Sequence, residues 1–168
     1  MRTVATVATV GAALLLAGCS PSGEPAPPPT SAPAPAAACG SPVRDDALPE
    51  WARAGFSGDG AGVPHVYGAK GDILAVVFGS PLSSPPGNGR SNKILWVSRQ
   101  PVTGDPLVIT ARRDGSGERA DQQVAGGPGP SVVDVPRAGC WRFTLTWSGY
   151  TDTMDLVYRT PTAESPGS

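Results

Sequence analysis

Between Ile73 and Arg159 the chain alternates short apolar runs with clusters of glycine, proline and aspartate, the pattern of β-strands separated by turns. Ile73 to Phe78 is continuously apolar and rich in β-branched residues, which predicts a strand buried on both faces. Lys93 to Arg99 (KILWVSR) and Leu107 to Arg112 (LVITAR) follow, each bounded by Pro, Gly or Asp, and a further strand is expected over Val132 to Val135. From Cys140 to Trp147 the residues Trp141, Phe143, Leu145 and Trp147 alternate with Arg142, Thr144 and Thr146. That period of two gives one buried face and one wet face. A turn at Ser148-Gly149 leads to a last strand from Met154 to Arg159 (MDLVYR). Helical periodicity is nearly absent, apart from a short turn expected near Pro49 to Ala54. Six or seven short strands at this spacing predict an all-β fold, an antiparallel Ig-like β-sandwich of about seven strands over residues 39–160, with 161–168 as a disordered tail.

The first 38 residues follow different rules. Arg2 opens a short positive region, and Val4 to Ala17 is apolar or small apart from its threonines. Such a run is too short to cross a bilayer of about 30 Å as a helix, but it has the length of a signal peptide's apolar core. It ends in Leu16-Ala17-Gly18-Cys19, which resembles the lipobox of bacterial lipoproteins. The resemblance implies a signal peptide over residues 1–18, removed before Cys19, and a diacylglycerol on the Cys19 thiol, with further acylation of the new N-terminus. Each buried CH₂ contributes about 0.8 kcal/mol, so two or more acyl chains make a lasting anchor. The alternative is an ordinary secretory signal with a cysteine at its cleavage point. Ser20 to Ala38 then reads as a tether: seven prolines among small residues favour an extended polyproline II chain that builds no core. At about 3.1 Å per residue it reaches roughly 60 Å. A proline-rich docking ligand is the other reading, and no basic residue flanks the prolines to favour it.

With Cys19 lipidated, Cys39 and Cys140 remain, and in an oxidising compartment an even pair predicts a disulfide. Separate thiols for redox or metal chemistry are the alternative, with no CxxC to support them. Cys140 shares the parity of Arg142 and Thr144, so the bridge is expected to fasten the N-terminal segment to a sheet's outer face or edge. It would not cross the core as an immunoglobulin disulfide does.

Two segments, GRSNKILWVSR (Gly89 to Arg99) and VDVPRAGCWRFTLTWSGYTDTMDLVYR (Val133 to Arg159), together resemble a group of uncharacterised secreted lipoproteins of actinobacteria. LPEWARAGF (Leu48 to Phe56) and PHVYGAKGDILAVVFGSPL (Pro64 to Leu82) are similar to the same group. The resemblance covers most of Leu48 to Arg159. It implies a small β-sandwich whose late strand opens on Gly-Cys-Trp and a place in the cell envelope, and it carries no activity with it.

A formal charge of −1 over 168 residues supplies no basic excess for nucleic acid. His65 is the only histidine, so metal binding lacks the three or four converging ligands that zinc or copper needs. No GxSxG elbow raises a Ser-His-Asp arrangement above the background of many serines. Asp152 and Asp155, three apart, point to opposite faces of a strand and suit solvated ends. Asp114 to Glu118 lacks EF-hand spacing and predicts a hairpin turn, and Gly126 to Pro130 is a loop without the lysine of a phosphate loop. The candidate ligand-binding residues are Arg90, Asn92, Lys93 and Trp96, which follow the loop Pro81 to Gly89. The expected function is a non-enzymatic binding or structural module, attached to the membrane through lipid on Cys19. It would face an envelope protein or glycan, with no cofactor, metal or nucleic acid. The alternative is an envelope hydrolase or metal-handling protein using His65.

Overall fold

The computed structural model describes residues 39–87 and 89–161. The expected signal peptide, Cys19, the tether and all but the first residue of the expected tail lie outside the described residues. Eight strands run in chain order: β1 (His65–Tyr67), β2 (Ile73–Val77), β3 (Lys93–Ser98), β4 (Leu107–Arg113), β5 (Arg119–Val124), β6 (Pro130–Val132), β7 (Gly139–Trp147) and β8 (Tyr150–Tyr158). They form two four-stranded antiparallel sheets, ordered β1-β2-β3-β6 and β5-β4-β7-β8, packed as a β-sandwich. The short turn expected near Pro49 is a 3₁₀ turn over Glu50–Ala52.

Alternation decides which side chains meet between the sheets. Ile73, Ala75 and Val77 of β2, with Ile94 and Trp96 of β3, face Leu107, Ile109 and Ala111 of β4, the four apolar residues of β7, and Met154, Leu156 and Tyr158 of β8. Trp96, Trp141 and Trp147 keep their indole N–H groups satisfied at the core's margin. They donate to Ser131 Oγ, the Arg137 carbonyl and Ser98 Oγ respectively, at 2.8–2.9 Å. Tyr158 is held the same way, donating to the Val133 carbonyl at 2.8 Å. Buried polar tips thus keep partners, as a dry interior requires.

The expected burial on both faces holds for Ile73–Val77, whereas Phe78 falls beyond the strand and is half exposed; the reason for the double burial is a second, smaller core. Leu74 and Val76 point away from the first core and pack against Leu48 and Ala52, with Trp51, Phe56, Val63, Tyr67, Leu95 and Val97 around them. Residues 48–63 therefore cover the outer face of the first sheet. Two strands went unforeseen. β1 has only three residues, and β5 (RADQQV) is polar along nearly its whole length, as an edge strand tolerates. β6 ends at Val132, so Val133 and Val135 reach the core from a loop and not from the strand expected there. β8 starts at Tyr150, four residues before the expected Met154. It is joined to β7 by a two-residue turn whose positive φ values, 46° at Ser148 and 83° at Gly149, fit a type I′ hairpin.

Cys39 and Cys140 form the disulfide, 101 positions apart in sequence. As parity predicts, Cys140 lies on the outer side of the second sheet, opposite Val157 of the edge strand β8. From that bridge the chain crosses to the first sheet. Gly40 N–H donates to Asp155 Oδ2 at 3.0 Å, and Asp155 N–H donates to Ser41 Oγ at 2.9 Å. Arg44 then exchanges two backbone hydrogen bonds with His65 at 2.8 Å each. Residues 39–44 are thus a strap between the edges β8 and β1, fixed by the disulfide at one end.

Candidate functional site

The four candidate residues after the Pro81–Gly89 loop do not form one site. Asn92 is buried and acts as a clamp: its Oδ1 accepts from Ser83 N–H at 2.9 Å, and its Nδ2 donates to the Ser83 carbonyl and Asp134 Oδ1 at 2.8 and 2.7 Å. Trp96 points into the main core, on the opposite face of β3 from Lys93. Lys93 Nζ sits over the Phe78 ring at 5.4 Å, and Arg90 donates to the Ser80 carbonyl at 2.7 Å. Asn92 and Trp96 serve the fold, and only Arg90 and Lys93 remain as exposed cations.

His65 lies on the outer face of the first sheet, fully buried. Its Nδ1 donates to the Val63 carbonyl at 2.8 Å, and its Nε2 has no hydrogen-bond partner, with Asp46 Oδ1 3.5 Å away. Tyr67 meets the imidazole edge-on at 5.4 Å, and Arg44 covers the Tyr67 ring at 5.6 Å. Burial pushes the Tyr67 hydroxyl's pKa up, the Asp46 carboxylate adds to this, and Arg44 opposes it. Among the described residues no group of three or more His, Cys, Asp or Glu side chains converges as metal ligands do. A shallow groove of about 440 Å³ runs beneath the strap, lined by Gly40, Ser41, Pro42, Arg44, Tyr67, Gly68 and Ala69.

Asp152 and Asp155 point to opposite faces as predicted, but neither is a solvated end: both are buried. The Asp152 carboxylate accepts from the N–H groups of Lys70 at 2.9 Å, Asp72 at 3.1 Å and Thr153 at 2.7 Å. It therefore fastens the β1–β2 turn to β8, beside a bond from Ala69 N–H to the Thr153 carbonyl at 2.7 Å. Gly68 has to be glycine here, because a Cβ would fall inside the Asp152 carboxylate. Asp155 receives Arg142 in a two-point contact, Nε at 3.0 Å and Nη2 at 3.3 Å. Its pKa is held below the usual carboxylate range first by Arg142, against which burial acts, with a smaller lowering from Gly40 N–H.

The surface that the strand pattern leaves open is the outer face of the second sheet. Val108, Thr110 and Arg112 of β4 point there, opposite Gln123, Asp121 and Arg119 of β5 and Thr146, Thr144 and Arg142 of β7. Thr151 and Thr153 of β8 continue the rows beside Thr146 and Thr144. Cross-strand neighbours are about 4.8 Å apart and successive outward positions about 6.8 Å. The face is a regular grid of threonine hydroxyls and methyls bordered by three arginines. The alternation of Thr144 and Thr146 with the core aromatics made part of it visible in the sequence. The contributions of β5 and early β8 were hidden with those strands. No family model, curated protein or solved structure matches the chain.

Proposed function

We propose that the protein is a lipid-anchored extracytoplasmic module, a non-enzymatic Ig-like binding or structural domain held at the outer side of the membrane through Cys19. The observation that carries this reading is the pairing of Cys39 with Cys140. A disulfide persists in oxidising compartments, which agrees with export, and it accounts for two of the three cysteines, leaving Cys19 in the lipobox-like Leu16-Ala17-Gly18-Cys19. The likeness of Leu48 to Arg159 to secreted actinobacterial lipoproteins points the same way. A non-catalytic role is supported by the surroundings of His65, which is fully buried with Nδ1 bound to the Val63 carbonyl and Nε2 turned toward the Asp46 carboxylate. No observation favours the alternative of a hydrolase or metal-handling protein built on His65.

The test is membrane fractionation of the full-length protein and its Cys19→Ser variant. The wild type is expected in the membrane fraction with its N-terminal segment removed. The variant is expected as an unprocessed precursor or as released protein. Identical processing and membrane retention of the two would overturn the anchor.

A further inference from the structure

Register places Arg119, Arg112 and Arg142 side by side on β5, β4 and β7, all on the outer face. Like charges directly opposite one another across strands destabilise a sheet, so a row of three requires compensation. The outer two have it. Arg119 is paired with Asp121 at 2.7 Å, and Arg142 is gripped by Asp155. Arg112, exposed between them, has no ion pair among the described residues. Two carboxylates are ion-paired within the row, Asp121 also lies within electrostatic reach of Arg112 and Asp114 within reach of Arg142, yet the guanidinium at the centre faces solvent beside the threonine grid.

We infer that this face binds an acidic glycan, with a carboxylate or phosphate of the chain on Arg112 and neighbouring sugars along the threonine rows. The inference names a ligand class for the binding module proposed above and rests on that reading. A guanidinium presents paired N–H donors that match the two oxygens of such an anion. Its flanking arginines are kept in place by their own carboxylates, so an anion also relieves the repulsion within the row. Thr144, Thr146, Thr151 and Thr153 offer hydroxyls to sugar hydroxyls and methyls to sugar C–H groups. Thr146 and Thr151 share a hydrogen bond at 3.2 Å that exchanges readily for one to a ligand. An anionic membrane fits worse. Its surface attracts dense basic clusters and amphipathic segments with apolar residues to insert. This face sets Asp121, Asp155 and the nearby Asp114 against its three arginines, with neutral hydroxyls beyond them and no aromatic side chain.

The experiment uses the full-length chain reconstituted in phosphatidylcholine nanodiscs free of detergent, titrated calorimetrically with oligogalacturonate, phosphomannan, neutral dextran and phosphatidylglycerol-containing vesicles. Binding to at least one acidic glycan is expected, weakening as salt rises, with none to dextran. Arg112→Gln is expected to weaken that binding at least about tenfold. Its melting temperature should stay equal to or rise above the wild type's, because the like-charge contact is gone. Arg99→Gln, an exposed charge just beyond β3 of the other sheet, is the control and should keep affinity within about twofold. Thr144→Val with Thr146→Val should weaken glycan binding and leave the fold intact. No binding to either acidic glycan, equal binding of dextran, unchanged affinity in Arg112→Gln, or preference for the vesicles would each overturn the inference. Fractionation with Cys19→Ser is independent of all four outcomes. Correct anchoring without glycan binding sinks this inference alone, whereas failed anchoring sinks the broader reading whatever the glycan titration gives.

Discussion

The two outer faces of the sandwich obey the same alternation and meet opposite fates. On the first sheet the outward positions Leu74, Val76, Leu95 and Val97 are apolar, and residues 48–63 lie over them. On the second the outward positions of β4 and β7 are mostly threonine and arginine. There the strap bonds at Asp155 and leaves Thr146 and Arg112 exposed. A sheet with two apolar faces has to be covered twice, and this chain uses residues 48–63 as the second cover. A sheet with one apolar face leaves the other free for recognition. The comparison locates stability on one side of the molecule and places the proposed binding on the other.

The largest effect expected from disturbing this division comes from the strap's disulfide. Replacing Cys39 and Cys140 with serine frees a loop of about 100 residues in the unfolded chain, and loss of up to about 4.7 kcal/mol follows in the chain-entropy account. A lower urea midpoint is expected, with a steeper slope because the unbridged unfolded chain is more expanded. Next comes Leu48→Ala, which empties the centre of the second core. A loss of about 3 kcal/mol is expected, within the range for buried Leu-to-Ala changes. A loss below about 0.5 kcal/mol would mean that the covering layer is loosely held and that the two faces differ less than their packing indicates.

Asp152→Asn acts at the seam between the sheets. The carboxylate faces three backbone donors, and an amide turns an N–H₂ toward one of them, leaving a buried donor unmatched at a cost of about 1–3 kcal/mol. Hydrogen exchange should accelerate selectively at the Asp72 amide, because the remaining amide oxygen is expected on the side that serves two donors, Lys70 and Thr153. Uniform acceleration over the whole domain would assign Asp152 a global role and not a seam.

The pattern of apolar and polar positions made the main core legible, including the double burial of β2 and the outward direction of Cys140. It did not reveal what covers β2. Leu48, Ala52 and Trp51 sit in a segment with no sustained periodicity, where three residues of 3₁₀ turn position them. β5 escaped because an edge strand meets the core on one side only and through partly buried Ala120 and Val124. Early β8 escaped because Asp152 occupies an inward position, and only the turn it fastens explains a carboxylate there. For the same reason Asn92 and Trp96 looked like ligand residues: polarity beside a loop reads alike whether a side chain faces solvent or closes the loop on itself. Arg112 was visible as a charge at a strand end. Its meaning came from register, which brought together three arginines spread over 30 positions of the chain.

Acid separates the strap's charge contact from the packing of the covered face. The Asp155 pKa is lowered in the fold by Arg142 and by Gly40 N–H. A lowered folded pKa gives stability that is complete above the unfolded value, about 3.9, and is lost as pH falls through the folded one. The melting temperature should therefore hold from neutrality down to the ordinary carboxylate range and drop below it. Asp155→Asn should lower the plateau and flatten the drop, while Leu48→Ala should shift the curve down with its shape intact. An acid limb of unchanged shape in Asp155→Asn would assign it to other carboxylates; Glu118, whose pKa is lowered by Arg113 and Arg137, is the first to test.

The smallest effect belongs to the open face. Thr146→Ala removes a hydroxyl whose only side-chain hydrogen bond is with Thr151 at the surface, and a methyl that nothing covers. Stability is expected to change by no more than about 0.5 kcal/mol, as at other uncovered surface positions. A null result carries information here because the neighbouring inward residues, Leu145 and Trp147, are fully buried on the same strand. Leu145→Ala should lose about 2–5 kcal/mol one residue away. If Thr146→Ala also lost more than 1 kcal/mol, something in the full-length protein would be covering this sheet, and the contrast between the two faces would fail where the binding proposal needs it.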